Sequence, residues 1–116
     1  MNKFEGIGRV TKDMELKTSA NGVSRVSFIL AVDGWKKQNG SKVTDFIPML
    51  AFGKTAEVLA QYVKKGHKIG VVGKLRTGDY EKDGTKFYTT DVIVESFDFL
   101  EKKEDFTPVN DSDLPF

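Results

Sequence analysis

Aromatic rings and cations recur together along this 116-residue chain. Trp35 is followed by Lys36 and Lys37, Phe52 by Lys54 two positions on, and Lys74 and Arg76 by Tyr80. Phe46 stands six residues before Phe52. In a regular strand that even spacing puts both rings on one face, unless Pro48 bulges the strand between them. Every nucleobase has a π-face on which a planar side chain can stack, at roughly 1–3 kcal/mol per base, and cations beside the rings suit the phosphates. The chemistry on offer is recognition of a single nucleic-acid strand without reading its sequence. Trp35 and Tyr80 sit beside charged residues in loop-like sequence and read as exposed. Phe46 and Phe52 stay open, because by residue type phenylalanine belongs to the core. Phe4, Phe28, Phe87, Phe97 and Phe99 read as core or subunit contacts.

Other chemistry lacks its residues. Gly53-Lys54-Thr55 falls at a strand-to-helix junction, where a phosphate-loop lysine would sit. The glycine such a loop needs five positions earlier is Pro48, and the residues between form an apolar strand. Asp79, Glu81 and Asp83 invite a metal reading, but Lys82 and Lys86 share their hairpin, and a solvated, self-neutralising tip is the better account. The single histidine, His67, has no acidic or hydroxyl partner at a recognisable spacing and reads as a surface or interface residue. With no cysteine and one histidine, no metal and no cofactor is expected, and the chain does not read as an enzyme.

The elements that must position these residues are mostly strands. A first strand runs loosely from Phe4 to Met14. Ser19-Ala20-Asn21-Gly22 has hairpin-turn chemistry and leads into a second strand over Val23–Val32. Gln38-Asn39-Gly40-Ser41 is another hairpin tip, and Asp45–Phe52 a third strand, in which Pro48 demands an edge position or a bulge. Over Thr55–Lys65 the spacing of Ala56, Leu59, Ala60 and Val63 predicts a helix, with Gly66 as its C-cap glycine. His67–Arg76 is the fourth strand, Asp79–Thr85 a charged hairpin turning at Asp83-Gly84, and Phe87–Leu100 the last strand. The order β-β-β-α-β-β predicts an all-β, five-stranded OB-fold barrel with one helix between strands 3 and 4.

Charge divides the chain. Residues 1–103 carry 18 basic and 13 acidic groups, a net of +5, and form the expected domain. Residues 104–116 carry four acidic groups and no basic one, a net of −4, and read as a disordered acidic C-terminal tail. The near-neutral total of +1 describes neither part. Leu114-Pro115-Phe116 places apolar groups at the end of that tail, as an acidic docking peptide with an apolar hook would. No apolar run approaches the roughly 18 residues of a membrane span, and Met1–Val10 lacks a signal peptide's apolar stretch.

Assembled, these residues closely resemble the bacterial-type single-stranded DNA-binding proteins. The matching pieces run in order along nearly the whole chain: Ile7-Gly8-Arg9-Val10 with Thr11-Lys12-Asp13, Asn21-Gly22, Leu30-Ala31-Val32, Asp45-Phe46-Ile47, Phe52-Gly53-Lys54 with Ala56-Glu57, Lys65-Gly66, Gly73–Tyr80, Tyr88-Thr89-Thr90, and Asp113–Phe116. The resemblance implies a cytoplasmic homotetramer that binds and protects single-stranded DNA in replication, recombination and repair. It implies base stacking at Phe46, Phe52 and Tyr80, to which the residue pattern adds Trp35. Phosphate pairing falls to Arg9, Lys36, Lys37, Lys54, Lys74 and Arg76. Docking of replication, recombination and repair proteins falls to Asp111, Asp113, Leu114, Pro115 and Phe116. Three features depart from the family pattern: a segment between Val32 and Asp45 one residue short, Pro48 in a strand usually free of proline, and a tail without the long Gly/Gln-rich linker. The short tail resembles that of short paralogues or phage-borne versions. The competing readings are an RNA-binding OB or cold-shock-type domain, whose aromatic motifs are missing, and a protein-interaction adaptor on a vestigial barrel.

Overall fold

A computed structural model describes residues 1–100 of the chain. Its elements are β1 (Phe4–Val10), β2 (Lys17–Thr18), β3 (Ser24–Lys36), β4 (Lys42–Phe52), α1 (Gly53–Tyr62), β5 (Lys68–Lys82) and β6 (Thr85–Phe99). The tail, with Asp111 and Asp113–Phe116, lies outside the described residues.

Alternation along β3 sets the inside of the barrel. Ser24, Val26, Phe28 and Leu30 are buried, whereas Arg25, Ser27 and Ile29 face out. Met49 and Ala51 of β4, Ile69 and Val71 of β5, and Val92 and Val94 of β6 complete the core. A slip in the β5–β6 register pairs Val72 with Ser96 but Gly73 with Val94, so Glu95 is the extra residue. That bulge lets Phe97 and Phe99 pack against the same core as Val92 and Val94, although their spacing breaks strict alternation.

Five strands close on one another. β1 pairs with β5, β5 with β6, β6 with β4, β4 with β3, and β3 again with β1. Only the β4–β6 contact is parallel. Gly8 sits where β1 meets both β5 and β3, and a Cβ there would fall 2.4 Å from the Ala31 carbonyl oxygen. The barrel closes because that atom is missing. Helix α1 follows β4 and buries Ala56 and Leu59, with Ser24 Oγ donating to Glu57 Oε2 at 3.1 Å to tie the helix to β3. The five-stranded OB barrel read from the sequence is therefore present. The two-residue β2 adds a short sixth strand along β3.

Several boundaries differ from expectation. β1 ends at Val10 rather than Met14, although Thr11 keeps the β1–β3 register for one more residue, its N–H and Oγ1 both donating to the Ile29 carbonyl. The helix starts at Gly53 and stops at Tyr62. Val63 N–H caps it on Leu59 O, while Gly66 lies in the following turn and donates to Val10 O. Gly66 is thus a turn residue rather than the helix cap. β3 continues to Lys36, which puts Trp35 on a strand rather than in a loop. Pro48 causes no bulge: the β3–β4 register runs unbroken from Arg25–Phe52 to Asp33–Thr44. The ladder to β6 begins only at Met49, so at Pro48 the strand is still an edge and no donor is missed. Finally, β5 and β6 run out to Lys82 and Thr85 around a two-residue Asp83-Gly84 turn, with φ of 54° and 78°.

Candidate nucleic-acid interface

The unbroken register at Pro48 decides the face of β4. Ile47, Met49 and Ala51 point inward, and Phe46, Pro48, Leu50 and Phe52 point outward. Phe46 is 64% exposed and Phe52 38%, so the core reading of these two phenylalanines is wrong. Six residues separate them, about 20 Å along an extended strand. Between them Pro48 and Leu50 sit opposite Ile29 and Ser27 of β3 and make an apolar floor.

Cations border this floor along cross-strand rows. Phe46 lies opposite Ala31, Ala31 opposite Arg9, and Arg9 opposite Lys68. Arg9, Ala31 and Lys68 line an open cleft of about 480 Å³, and the Arg9 guanidinium also donates to the Gly66 carbonyl at 2.9 Å. In a second row Leu50 lies beside Ile93, and Ile93 opposite Lys74. Lys54, in the first turn of α1, stands exposed two residues beyond Phe52.

The remaining sequence-derived positions fall in two outlying groups. Between Asp33 and Lys36 the register shifts, so that residues 34–36 face residues 42–43. A Cβ on Gly34 would come 2.7 Å from Val43 O, and glycine alone fits that bulge. Trp35 emerges from it 79% exposed and, with Lys36, Lys37 and Asn39, lines an open cleft of about 490 Å³. The second group lies on the β5–β6 hairpin, where Lys74, Arg76, Gly78 and Tyr80 share a face. Arg76 is opposite Asp91, and Tyr80 is opposite Phe87. The rings of Tyr80 and Phe87 stack with centroids 5.3 Å apart and planes at 23°.

Phe87 is thus neither core nor buried. It is 42% exposed on a two-stranded arm that no third strand covers, because β1 pairs with β5 only up to Gly73. Asp79 and Lys86, on the other face of the arm, form an ion pair at 3.4 Å, and Lys86 Nζ lies 5.9 Å from the Tyr88 ring centroid. Of the tip's acidic groups, Asp79 is paired in this way, and Glu81 lies opposite Lys86.

Two kinds of residue escaped the sequence reading. Phe87 is found by counting back from the two-residue turn, which sets Lys82 against Thr85 and hence Tyr80 against Phe87. Arg25 and Lys17 are found by extending the alternation of β3 and the Asn21-Gly22 hairpin, which bring Arg25 beside Phe52 and Lys17 beside Arg25.

The charges are arranged differently on the two halves of the molecule. On the hairpin arm, opposite charges face each other, Arg76 with Asp91 and Glu81 with Lys86. Elsewhere three cationic pairs are directly opposed: Arg9 with Lys68 and Lys17 with Arg25 on the barrel, and Lys36 with Lys42 at the end of the β3–β4 hairpin. Like charges in that position are destabilising.

An OB barrel with aromatics exposed on its β4 face and cations around them is the class of module that this geometry defines. The chain belongs to the single-strand binding protein family, whose model matches residues 1–100. It is 44% identical over 133 aligned residues to single-stranded DNA-binding protein 2 of Clostridium acetobutylicum, covering all of both chains. Its identity to the single-stranded DNA-binding protein of Clostridium perfringens is 39%, again with full coverage of both. Among solved structures, it is similar in fold to a Plasmodium falciparum single-strand binding protein in complex with single-stranded DNA. That match has a TM-score of 0.79 at 23% identity over 87% of this chain and 96% of the other. A deletion mutant of the Thermus aquaticus single-stranded DNA binding protein matches with a TM-score of 0.73 at 26% identity, over 87% of this chain and 51% of that one. Among the described residues no helix is long and apolar enough to cross a membrane.

Proposed function

We propose that this protein binds single-stranded DNA without regard to sequence. The observation that carries the reading is the outward placement of Phe46 and Phe52 on one face of β4, bordered by cations. Both rings point away from the barrel core and present exposed surface to bases. Trp35, Phe46, Phe52 and Tyr80 stack bases, and Arg9, Lys36, Lys37, Lys54, Lys74 and Arg76 pair with phosphates. Four stacked bases contribute roughly 4–12 kcal/mol gross. That is how a body with a net charge of only +5 holds a polyanion.

In this reading residues 1–103 are the DNA-binding domain, assembled as a homotetramer in the cytoplasm of a bacterium or of a phage's host. Residues 104–116 are the tail whose tip, Asp111 and Asp113–Phe116, recruits replication, recombination and repair proteins. The names of the relatives support the DNA-binding part. Composition and the resemblance support the tail and the assembly.

Titration with poly(dT) at low salt, followed by Trp35 emission and by anisotropy of a labelled dT oligomer, tests the reading. Quenching and tight binding to the single strand, with much weaker binding to duplex of equal length, is the expected outcome. Equal affinity for duplex would remove stacking as the mechanism, and no binding would favour the adaptor.

A further inference from the structure

Lys17, Arg25 and Phe52 form one row across β2, β3 and β4, each residue directly opposite the next. In antiparallel pairs directly opposed side chains leave the sheet on the same side, so two cations and a ring share one surface. Adjacent strands lie about 4.8 Å apart, so the row spans about 10 Å from the Lys17 backbone to that of Phe52. All three residues line an open cleft of about 420 Å³, together with Thr18, Ser19 and Val23. On the other side of the cations a smaller cleft of about 200 Å³ carries Asp13 and Glu15 with Lys12. Neither carboxylate forms an ion pair with Lys17 or Arg25 among the described residues.

The hairpin that creates this row is specified locally. Ser19 N–H donates to Val23 O and Gly22 N–H to Ser19 O, and Ser19 Oγ accepts from Val23 N–H. The turn holds the two-residue strand β2 against β3 and so sets Lys17 opposite Arg25. In the folded protein alone that opposition costs stability. An anion between the two charges reverses its sign.

The geometry points to Lys17 and Arg25 as a phosphate-binding subsite for the nucleotide whose base stacks on Phe52. The inference rests on the single-stranded DNA reading above and extends the strand's path past the edge of β4 onto β3 and β2. Arg25 supplies a planar fork of donors suited to a phosphate, and Lys17 a second, mobile charge.

The test uses the full chain, with Arg25→Gln, Lys17→Gln, the double variant and Arg25→Lys, and reads anisotropy of a labelled dT oligomer from low to high salt. Each single-strand phosphate contact contributes about 0.7 to the slope of log affinity against log salt. The double variant should therefore lose about 1.4 in slope, each single variant about half of that, and Arg25→Lys none. Melting temperatures should stay level or rise in the double variant, because a repulsion is removed. Wild-type binding with an unchanged slope in the double variant would overturn the subsite and leave the parent reading standing. A fall in melting temperature with unchanged slope would make the pair structural and would overturn it equally. Failure of the wild-type protein to bind the oligomer would remove both.

Discussion

Tyr80 and Phe87 stack on each other at 5.3 Å, on an arm that reaches beyond the barrel wall. One face of the Tyr80 ring is covered by Phe87, so in the proposed binding mode a base would stack on the other face. Under that proposal the contact with Phe87 restricts the Tyr80 ring in advance, which lowers the entropy cost of stacking.

Tyr80→Ala is expected to weaken dT-oligomer binding by about 1–3 kcal/mol. Phe87→Ala should weaken it less, and through Tyr80. The two substitutions should show a coupling of about 0.5–1.5 kcal/mol in a double-mutant cycle on stability. Additive effects on stability would mean that the ring contact contributes nothing.

Lys54 stands exposed at the start of α1, two residues past Phe52, and Lys54→Ala should act on charge alone. Its expected signature is a salt slope lower by about 0.7. Salt titrations of both proteins against the same oligomer give that difference directly.

Leu30 is fully buried in the core, opposite Val10 of β1 and Ile47 of β4, one residue before the wall residue Ala31. Leu30→Ala is predicted to destabilise the fold by about 2–5 kcal/mol. Denaturant unfolding should show that loss, while the folded fraction keeps wild-type affinity for dT oligomers. Loss of affinity with stability intact would place Leu30 at the interface instead.

Removal of Asp113–Phe116 is predicted to leave oligomer binding intact and to abolish pull-down of replication and repair proteins from a bacterial lysate. The opposite charges of body and tail add a second expectation. At low salt a chain ending at Lys103, without all four acidic groups of the tail, should bind DNA slightly more tightly than the full chain, and the difference should vanish as salt rises. Partner capture that survives the truncation would remove the docking role.

How far the sequence could be read depended on the range of the interactions involved. The barrel and the one helix were legible because alternation on Ser24–Leu30 and the spacing of Ala56, Leu59 and Val63 are local patterns. The face of Phe46 and Phe52 was not, since it turned on whether Pro48 bulged the strand. That depends on where β6 joins β4, a contact between residues more than forty positions apart. The exposure of Phe87 likewise follows from how far β1 accompanies β5, which no local pattern records. The strand extension to Trp35 depends on a one-residue bulge at Gly34, where the neighbouring Val43 carbonyl comes too close for any side chain. Arg25 was missed for a simpler reason: it sits in an apolar strand, where the eye follows the core residues on either side.

The central claim is that a base stacks on the outward ring of Phe46. Its most direct measurement is the affinity of Phe46→Ala for a dT oligomer at fixed salt, taken beside the variant's melting temperature. Stacking predicts binding weaker by about 1–3 kcal/mol, a loss of roughly 5- to 150-fold, with the melting temperature within a degree or two of wild type. Normal affinity, or a protein that binds normally but melts early, would contradict it.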